Sequence, residues 1–209
     1  MNSSQRIQGV YAITDPVAGE GERLLEHVRQ ALEGGVRILQ YRDKTTDQAR
    51  RQLEAMALLA LCEAYGATFI INDDVELAAM VGAHGLHIGR HDAALQQARE
   101  RLGSDAIIGV SCYNRLELAR EAAEAGADYI AFGRFFPSKT KPDAPQAKAS
   151  ILGQAKAELS LPVVAIGGIS PENGGQLIQH GADALAIIQG IFAQTDIKAA
   201  AQRHAALFN

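Results

Sequence analysis

The stretch Gly126-Ala127-Asp128-Tyr129-Ile130-Ala131-Phe132-Gly133 places a glycine turn directly before a short apolar run. Related turns precede other apolar runs, at Gly34-Gly35-Val36, Gly82-Ala83-His84 and Gly181-Ala182-Asp183. A glycine at this point is the expected C-cap of a preceding helix. Successive copies are separated by about two strand–helix units, so this weak internal repeat predicts a chain of alternating helices and strands.

Eight short runs rich in β-branched and other apolar residues are the predicted strands: Val10–Thr14, Arg37–Arg42, Thr68–Asn72, Gly85–Gly89, Ile107–Cys112, Tyr129–Gly133, Val163–Gly168 and Ala184–Gln189. Helical patterns lie between them. One covers Gln48–Tyr65, where Leu53, Ala57, Leu61 and Ala64 share a face. Helix starts are expected at Asn114 and at Ser170-Pro171.

Alternating strands and helices of this kind form a parallel sheet. Eight units in 209 residues predict an α/β fold with a single (β/α)₈ barrel, a TIM barrel, over residues 1–209. A doubly wound open sheet is the alternative, because the same units could also lie flat.

Composition excludes several classes of protein. Apolar residues make up 47% of the chain, so a hydrophobic core can form without disulfides or structural metal ions. Cys62 and Cys112 lie in unrelated segments without C-x-x-C spacing, which is typical of a reducing compartment. There is no apolar stretch long enough to span a membrane. The net charge is −4 and the sequence has no basic stripe, so nucleic-acid binding is not expected. We therefore expect a cytoplasmic protein that acts on small molecules.

The active site of a (β/α)₈ barrel lies at the carboxyl ends of its strands. Asp73 and Asp92 follow neighbouring strands there, which pack about 5 Å apart. Two carboxylates on one rim suit a hard cation such as Mg²⁺. Either acid could instead cap a helix, and Asp73 with Glu76 resembles a capping box.

Cationic and hydroxyl side chains follow two other strands. Arg42 and Lys44 alternate along one face of an extended segment that Gln40 shares. The long loop after the sixth strand carries Ser138, Lys139, Thr140 and Lys141. Such mixtures suit phosphate groups, although a solvated loop would also explain the second cluster.

Glycines end the last two strands, at Gly167-Gly168 and at Gly190. Barrels often bind a phosphate there on backbone N–H groups. A tight strand-to-helix turn is the other interpretation of these glycines.

Three histidines, His84, His87 and His91, are close enough in sequence to suggest a zinc site. However, His84 precedes the fourth strand and His91 follows it, some 20 Å apart along roughly extended chain. A shared metal is therefore not expected. His87 is interpreted as a polar residue inside the barrel or near its rim.

Motifs along nearly the whole chain resemble the thiamin phosphate synthase family. They are Val10–Asp15, Gln40–Lys44, Ile71–Asp74, Gly85–Gly89, Gly109–Ser111, Ala127–Tyr129, Pro137–Lys141, Ala165–Ile169 and Gly181–Asp183. The resemblance implies a (β/α)₈ barrel transferase. It would join 4-amino-5-hydroxymethyl-2-methylpyrimidine pyrophosphate to 4-methyl-5-(2-phosphoethyl)thiazole, giving thiamin phosphate and pyrophosphate.

The resemblance also implies a role for individual residues. Asp73 and Asp92 would hold Mg²⁺, and Ser111, Arg42 and Lys141 would be the catalytic set. The pyrimidine pyrophosphate would bind to Gln40, Tyr41, Arg42, Asp43, Lys44, Asn72, Ser111 and Lys141. The thiazole phosphate would bind to Ser138, Lys139, Thr140, Gly168, Ile188 and Gln189.

Metal and cations would stabilise the charge that builds on departing pyrophosphate. We therefore predict a dissociative order, in which a transient methylene cation on the pyrimidine is captured by the thiazole nitrogen. A homodimer and closure of the loop 134–146 over the substrates are further hypotheses.

The sequence departs from the family pattern at several places. Tyr41 and Asp43 replace Leu and Glu, Arg90-His91 replaces Gln and an acid, and Gln189 replaces a frequent Ser. Three alternatives remain: a thiazole tautomerase-like barrel without coupling activity, a non-catalytic sensor of thiamin phosphate, and an unrelated phosphate-binding isomerase or aldolase. The last would explain the glycines but not the paired acids.

Overall fold

Eight parallel strands close into a barrel in chain order, so the predicted fold class is confirmed. The computed structural model describes residues 6–89, 92–137 and 145–209, without the side chains of 92–94. The strands are β1 (Gly9–Ile13), β2 (Val36–Tyr41), β3 (Thr68–Asn72), β4 (Gly85–Ile88), β5 (Ile107–Tyr113), β6 (Tyr129–Gly133), β7 (Val163–Ile166) and β8 (Ala184–Ile187). The barrel closes where β8 pairs with β1, with Val10 opposite Leu185.

Helices follow the strands and surround the barrel. They are α1 (Gly21–Glu33), α2 (Gln48–Ala64), α3 (Val75–Val81), α4 (Asp92–Leu102), α5 (Leu116–Glu124), α6 (Ser150–Glu158), α7 (Pro171–Gln179), α8 (Gln189–Phe192) and α9 (Ile197–Ala205). Short 3₁₀ turns cover Pro16–Ala18 and Ala206–Phe208. Within the described part of the chain, no helix has both the length and the apolar character that a membrane crossing requires.

Side chains cap several of the described helix starts. Asp47, Asp74 and Asp196 each accept a hydrogen bond from a backbone N–H in the first turn of α2, α3 and α9. The predicted start at Ser170-Pro171 is confirmed, with proline in the first turn of α7. The start predicted at Asn114 is wrong by one residue, because Arg115 occupies the N-cap of α5.

The face predicted for α2 is not its buried face. Leu53 is 70% exposed. The helix instead turns Glu54, Ala55, Leu58 and Cys62 towards the barrel. Ala55, Leu58 and Cys62 are an apolar set at helical spacing, and Glu54 is buried beside them because its carboxylate accepts hydrogen bonds from the Tyr41 hydroxyl (2.6 Å) and the Gly21 N–H (2.7 Å). A periodicity that counts only apolar residues does not include such a position.

Apolar side chains form two layers, one inside the barrel and one between strands and helices. The inner layer includes Tyr11, Ile38, Ile70, Ile107 and Tyr129, all nearly inaccessible to solvent. Gly109 makes this packing possible, because a Cβ there would lie 1.9 Å from Cζ of Tyr129. The filled interior leaves the carboxyl ends of the strands as the place for a ligand.

Candidate active site

A cavity of about 460 Å³ opens at the carboxyl ends of the strands. Every strand contributes to its lining through one or more residues: Ile13, Gln40, Asn72, His87, Ser111, Gly133, Ile166 and Ile187. This is the size and position expected of a small-molecule site in a barrel.

At the end of β2, successive side chains point alternately into the cavity and towards the barrel exterior. Gln40, Arg42 and Lys44 line the cavity, as the alternation in the sequence predicts. Tyr41 and Asp43 alternate to the other side of the strand. The Tyr41 hydroxyl donates to Glu54, and Asp43 accepts from Arg50 at 2.8 Å. Their partners give these two residues a structural role, and their orientation argues against the substrate contacts expected of them.

Asp73 has a backbone conformation that is uncommon for a residue with a side chain. Its φ is 61°, and its N–H donates to the carbonyl of His87 on β4. The N-cap of α3 is Asp74, whose carboxylate accepts from the Leu77 N–H. The capping alternative for Asp73 is therefore wrong, and its side chain faces the cavity instead.

The Asp73 carboxylate pairs with the ammonium group of Lys44 at 2.5 Å. Both side chains are about half exposed, at 50% and 54%. An ion pair this accessible to water is worth at most about 1 kcal/mol. A ligand can therefore separate the two charges at little cost.

Five polar side chains form a continuous hydrogen-bonded chain beneath the cavity. It runs through Gln40, Tyr11, Tyr129, His87 and Ser111, with separations of 2.7 to 2.9 Å. Burial raises the pKa of both tyrosines, so their hydroxyls stay protonated. The placement of His87 near the rim confirms its interpretation from the sequence.

Sequence reasoning assigned no role to Tyr11 and Tyr129. The available signal was Gly109 inside a strand, which often marks close approach by another group. Arg134 and Tyr113 also line the cavity and were not predicted. Tyr113 is the second described non-glycine residue with positive φ, at 52°.

Glycines shape the cavity wall at β7 and β8. Gly167 and Gly168 have φ values of 106° and 64°. A Cβ on Gly168 would lie 2.4 Å from the carbonyl oxygen of Pro137. Ile188, Gln189 and Gly190 continue the same wall.

Several predicted site residues lie outside the described part of the chain. They are Ser138, Lys139, Thr140 and Lys141, with the side chain of Asp92. The departure from the family pattern at Arg90-His91 also lies outside it. Among the described residues, no group of three or more His, Cys, Asp or Glu could hold a metal ion. Mg²⁺ needs fewer protein ligands, because it commonly takes one or two carboxylates and completes its shell with water and phosphate oxygens. The Asp73 carboxylate, which already pairs with a cation at the cavity, fits such a site.

Comparison with known proteins agrees with this geometry. The family model described as thiamine monophosphate synthase matches residues 10–191. The thiamine-phosphate synthase of Thioalkalivibrio sulfidiphilus is 49% identical, covering 99% of this chain and 98% of its own. That of Alcanivorax borkumensis is 51% identical, covering 97% and 95%.

Solved structures show the same relationship. The thiamine phosphate pyrophosphorylase of Pyrococcus furiosus superposes with a TM-score of 0.88 at 32% identity, covering 99% of this chain and 97% of that one. A 3-hexulose-6-phosphate synthase, at a TM-score of 0.69 and 16% identity, shares the fold alone. By sequence and structure, the chain belongs to the thiamine monophosphate synthase family.

Proposed function

We propose that the protein is a thiamine-phosphate synthase that joins 4-amino-5-hydroxymethyl-2-methylpyrimidine pyrophosphate to 4-methyl-5-(2-phosphoethyl)thiazole. Members of its family are transferases that form thiamine phosphate. The observation that carries the proposal is one cavity with two places suited to phosphate. Arg42, Lys44 and Asp73 line the cavity at the ends of β2 and β3, and glycines line its wall after β7 and β8. A reaction that joins two phosphorylated halves needs such an arrangement.

The pyrophosphate of the first substrate would lie at the ends of β2 to β4. Arg42 and Lys44 would bind its oxygens, with Lys141 reaching in from the loop after β6. Asp73 and Asp92 would hold Mg²⁺, whose charge would offset that of the pyrophosphate when it is bound. The Lys44 ammonium group would then leave its ion pair with Asp73 and bind a phosphate oxygen. Asn72, Gln40 and Ser111 would contact the rest of this substrate.

The phosphate of the second substrate would lie against the glycine wall. Gly168 and the backbone of Ile188 and Gln189 would offer N–H groups to it, as barrels commonly do at these strands. Ser138, Lys139 and Thr140 would complete this subsite from the loop.

The reaction would begin when the bond between the methylene carbon and the pyrophosphate oxygen breaks. The electron pair leaves with pyrophosphate, and Arg42, Lys44 and Lys141 stabilise the charge. The methylene cation is stabilised by the electron-rich aminopyrimidine. The thiazole nitrogen then donates its lone pair to that carbon and forms the new bond. The protein supplies orientation rather than a nucleophile.

The test is a turnover assay with both phosphorylated substrates and Mg²⁺, following thiamin phosphate and pyrophosphate together. We expect equal amounts of the two products and their loss when EDTA is added. If the protein binds or isomerises the thiazole phosphate and releases no pyrophosphate, the tautomerase-like function replaces this one.

The metal site has its own test. We expect Asp73→Ala and Asp92→Ala each to lower turnover by about 10² or more, because a charge-stabilising group at the reacting centre is lost. Asp105→Ala, on the exposed surface, is the matched control. Near-normal turnover of either site variant, with circular dichroism showing a folded protein, would remove that residue from the metal site.

A further inference from the structure

We propose that every hydrogen bond in the buried chain of side chains Gln40–Tyr11–Tyr129–His87–Ser111 is donated in the direction of Ser111. Ser111 is then a hydrogen-bond donor to the bound substrate. Tyr11, Tyr129 and His87 are then positioning residues that act through Ser111. The inference rests on the proposed function only in identifying the ligand at Ser111 as a heteroaromatic ring.

The chain links five different strands across the barrel. The Gln40 amide on β2 donates to the Tyr11 hydroxyl on β1 at 2.7 Å. Tyr11 and Tyr129, on β1 and β6, share a contact of 2.8 Å between their hydroxyl oxygens. The Tyr129 hydroxyl lies 2.9 Å from Nδ1 of His87, and Nε2 of His87 lies 2.9 Å from Oγ of Ser111.

Each hydroxyl in the chain has a single proton, and this property sets the direction. Tyr11 is 1% exposed and accepts a hydrogen bond from the Gln40 amide, so its own O–H donates to the Tyr129 hydroxyl oxygen. A buried donor without an acceptor would cost about 1–3 kcal/mol. Tyr129 is fully buried and therefore donates to Nδ1 of His87.

A neutral histidine that accepts at Nδ1 holds its proton at Nε2. His87 therefore donates to Oγ of Ser111, and the Ser111 proton is left for the cavity that this residue lines. The matching ligand atom is an acceptor, such as an unprotonated ring nitrogen. If the chain ran the other way, Ser111 would donate to His87 and could only accept from a ligand amino group.

The direction can be read directly from the protonation of His87 in the ligand-free protein. We would label the full chain with ¹⁵N-histidine and record long-range ¹H–¹⁵N correlations near pH 8, above the ordinary imidazole pKa of about 6.5. The expected result is His87 with an unprotonated Nδ1 and a protonated Nε2. A protonated Nδ1, or an even mixture of the two forms, would overturn the proposal.

The protein contains its own reference signals. Nδ1 of His84 accepts from the Phe69 N–H at 2.9 Å, so His84 must have its proton on Nε2. His180 and His204 must have theirs on Nδ1, which donates to the carbonyls of Gln176 and Ala200. His87 should match His84 and differ from the other two.

Tyr129→Phe removes the hydroxyl that donates to His87. We expect the His87 tautomers to become mixed and the KM for the pyrimidine pyrophosphate to rise about tenfold, with the KM for the thiazole phosphate unchanged. Tyr65→Phe, which changes an exposed hydroxyl paired with Glu33, is the matched control.

If Tyr129→Phe does not fold, the tautomer of the unaltered protein still decides the proposal. An unchanged His87 spectrum in a folded Tyr129→Phe protein would contradict it. Because the spectrum needs no substrate, failure of the coupling assay would overturn the proposed function and leave the direction of the chain intact.

Discussion

Asp73 and Tyr113 are the described non-glycine residues with positive φ, and both line the cavity. Such a conformation costs about 1–3 kcal/mol and persists only where the surrounding structure enforces it. For Asp73, the enforcing contacts are its N–H bond to His87 and the adjacent cap at Asp74. This backbone conformation accompanies the placement of the Asp73 carboxylate at the cavity, while Asp74 caps α3.

A second residue with an unusual environment is His204 on α9. It is 1% exposed, and its Nδ1 donates to the Ala200 carbonyl at 2.8 Å. Burial is the main cause that lowers its pKa below the ordinary value. The folded protein therefore holds His204 neutral at a pH where the unfolded chain begins to bind a proton.

The consequence is a loss of stability in mild acid. As pH falls below about 6.5, the unfolded state binds a proton that the native state does not, so the free energy of unfolding decreases. The slope is at most about 1.4 kcal/mol per pH unit for this group. Urea unfolding at pH 7.5 and 5.5 gives the free energy of unfolding at each pH. The difference between the two values should be smaller for His204→Gln than for the unaltered protein.

The control for this experiment is His180→Gln, since His180 is exposed and also donates through Nδ1 to a helix carbonyl. It should keep the pH dependence of the unaltered protein. An identical dependence in the His204→Gln protein would contradict the assignment.

At the scale of elements, the turn after β7 depends on glycine. Gly168→Ala would place a Cβ 2.4 Å from the Pro137 carbonyl oxygen, at a φ of 64°. We expect a loss of about 1–3 kcal/mol in stability. We also expect a higher KM for the thiazole phosphate, because the wall of its proposed subsite must shift. Chemical unfolding and steady-state kinetics would measure the two effects.

Gly66→Ala separates backbone strain from the steric contact. Gly66 has a φ of 65°, and a Cβ there would meet nothing within 4 Å. This variant should lose some stability and keep its KM values. An equal change in KM for both variants would argue against a role of the β7 wall in binding.

At the scale of the whole molecule, the glycine turns of the internal repeat precede every second strand, namely β2, β4, β6 and β8. In three of the four copies, the side chain of the third residue of the turn accepts a hydrogen bond from a backbone N–H of the preceding strand. The pairs are His84 with Phe69, Asp128 with Ile108, and Asp183 with Val163. The repeat thus ties neighbouring strands together at the amino-terminal face, opposite the cavity.

This face should serve stability rather than catalysis. Asp128 accepts from the Ile108 N–H at 2.8 Å and from Arg99 at 2.6 Å. We expect Asp128→Ala to lower the free energy of unfolding by about 1–3 kcal/mol, since a backbone donor loses its partner. Turnover by the folded variant should stay unchanged. A specific fall in kcat at full stability would contradict this division between the faces.

The sequence by itself determined eight alternating strand–helix units of a parallel sheet, the strand ends that carry the site, and the β2 residues that face the cavity. These features follow from local rules: apolar runs, glycine turns and alternation along a strand. Only the tertiary structure decided that the sheet closes on itself and that Tyr41 and Asp43 have structural partners on the outer side of β2. It also decided that Asp74 rather than Asp73 caps α3, and that α2 buries Glu54. It also assembled the hydrogen-bonded series of side chains that leads from Gln40 to Ser111. Barrel closure, the Tyr41–Glu54 contact and the Asp73 N–H bond to the His87 carbonyl all join separate segments of the chain. Contacts between separate segments leave no periodic pattern in the sequence.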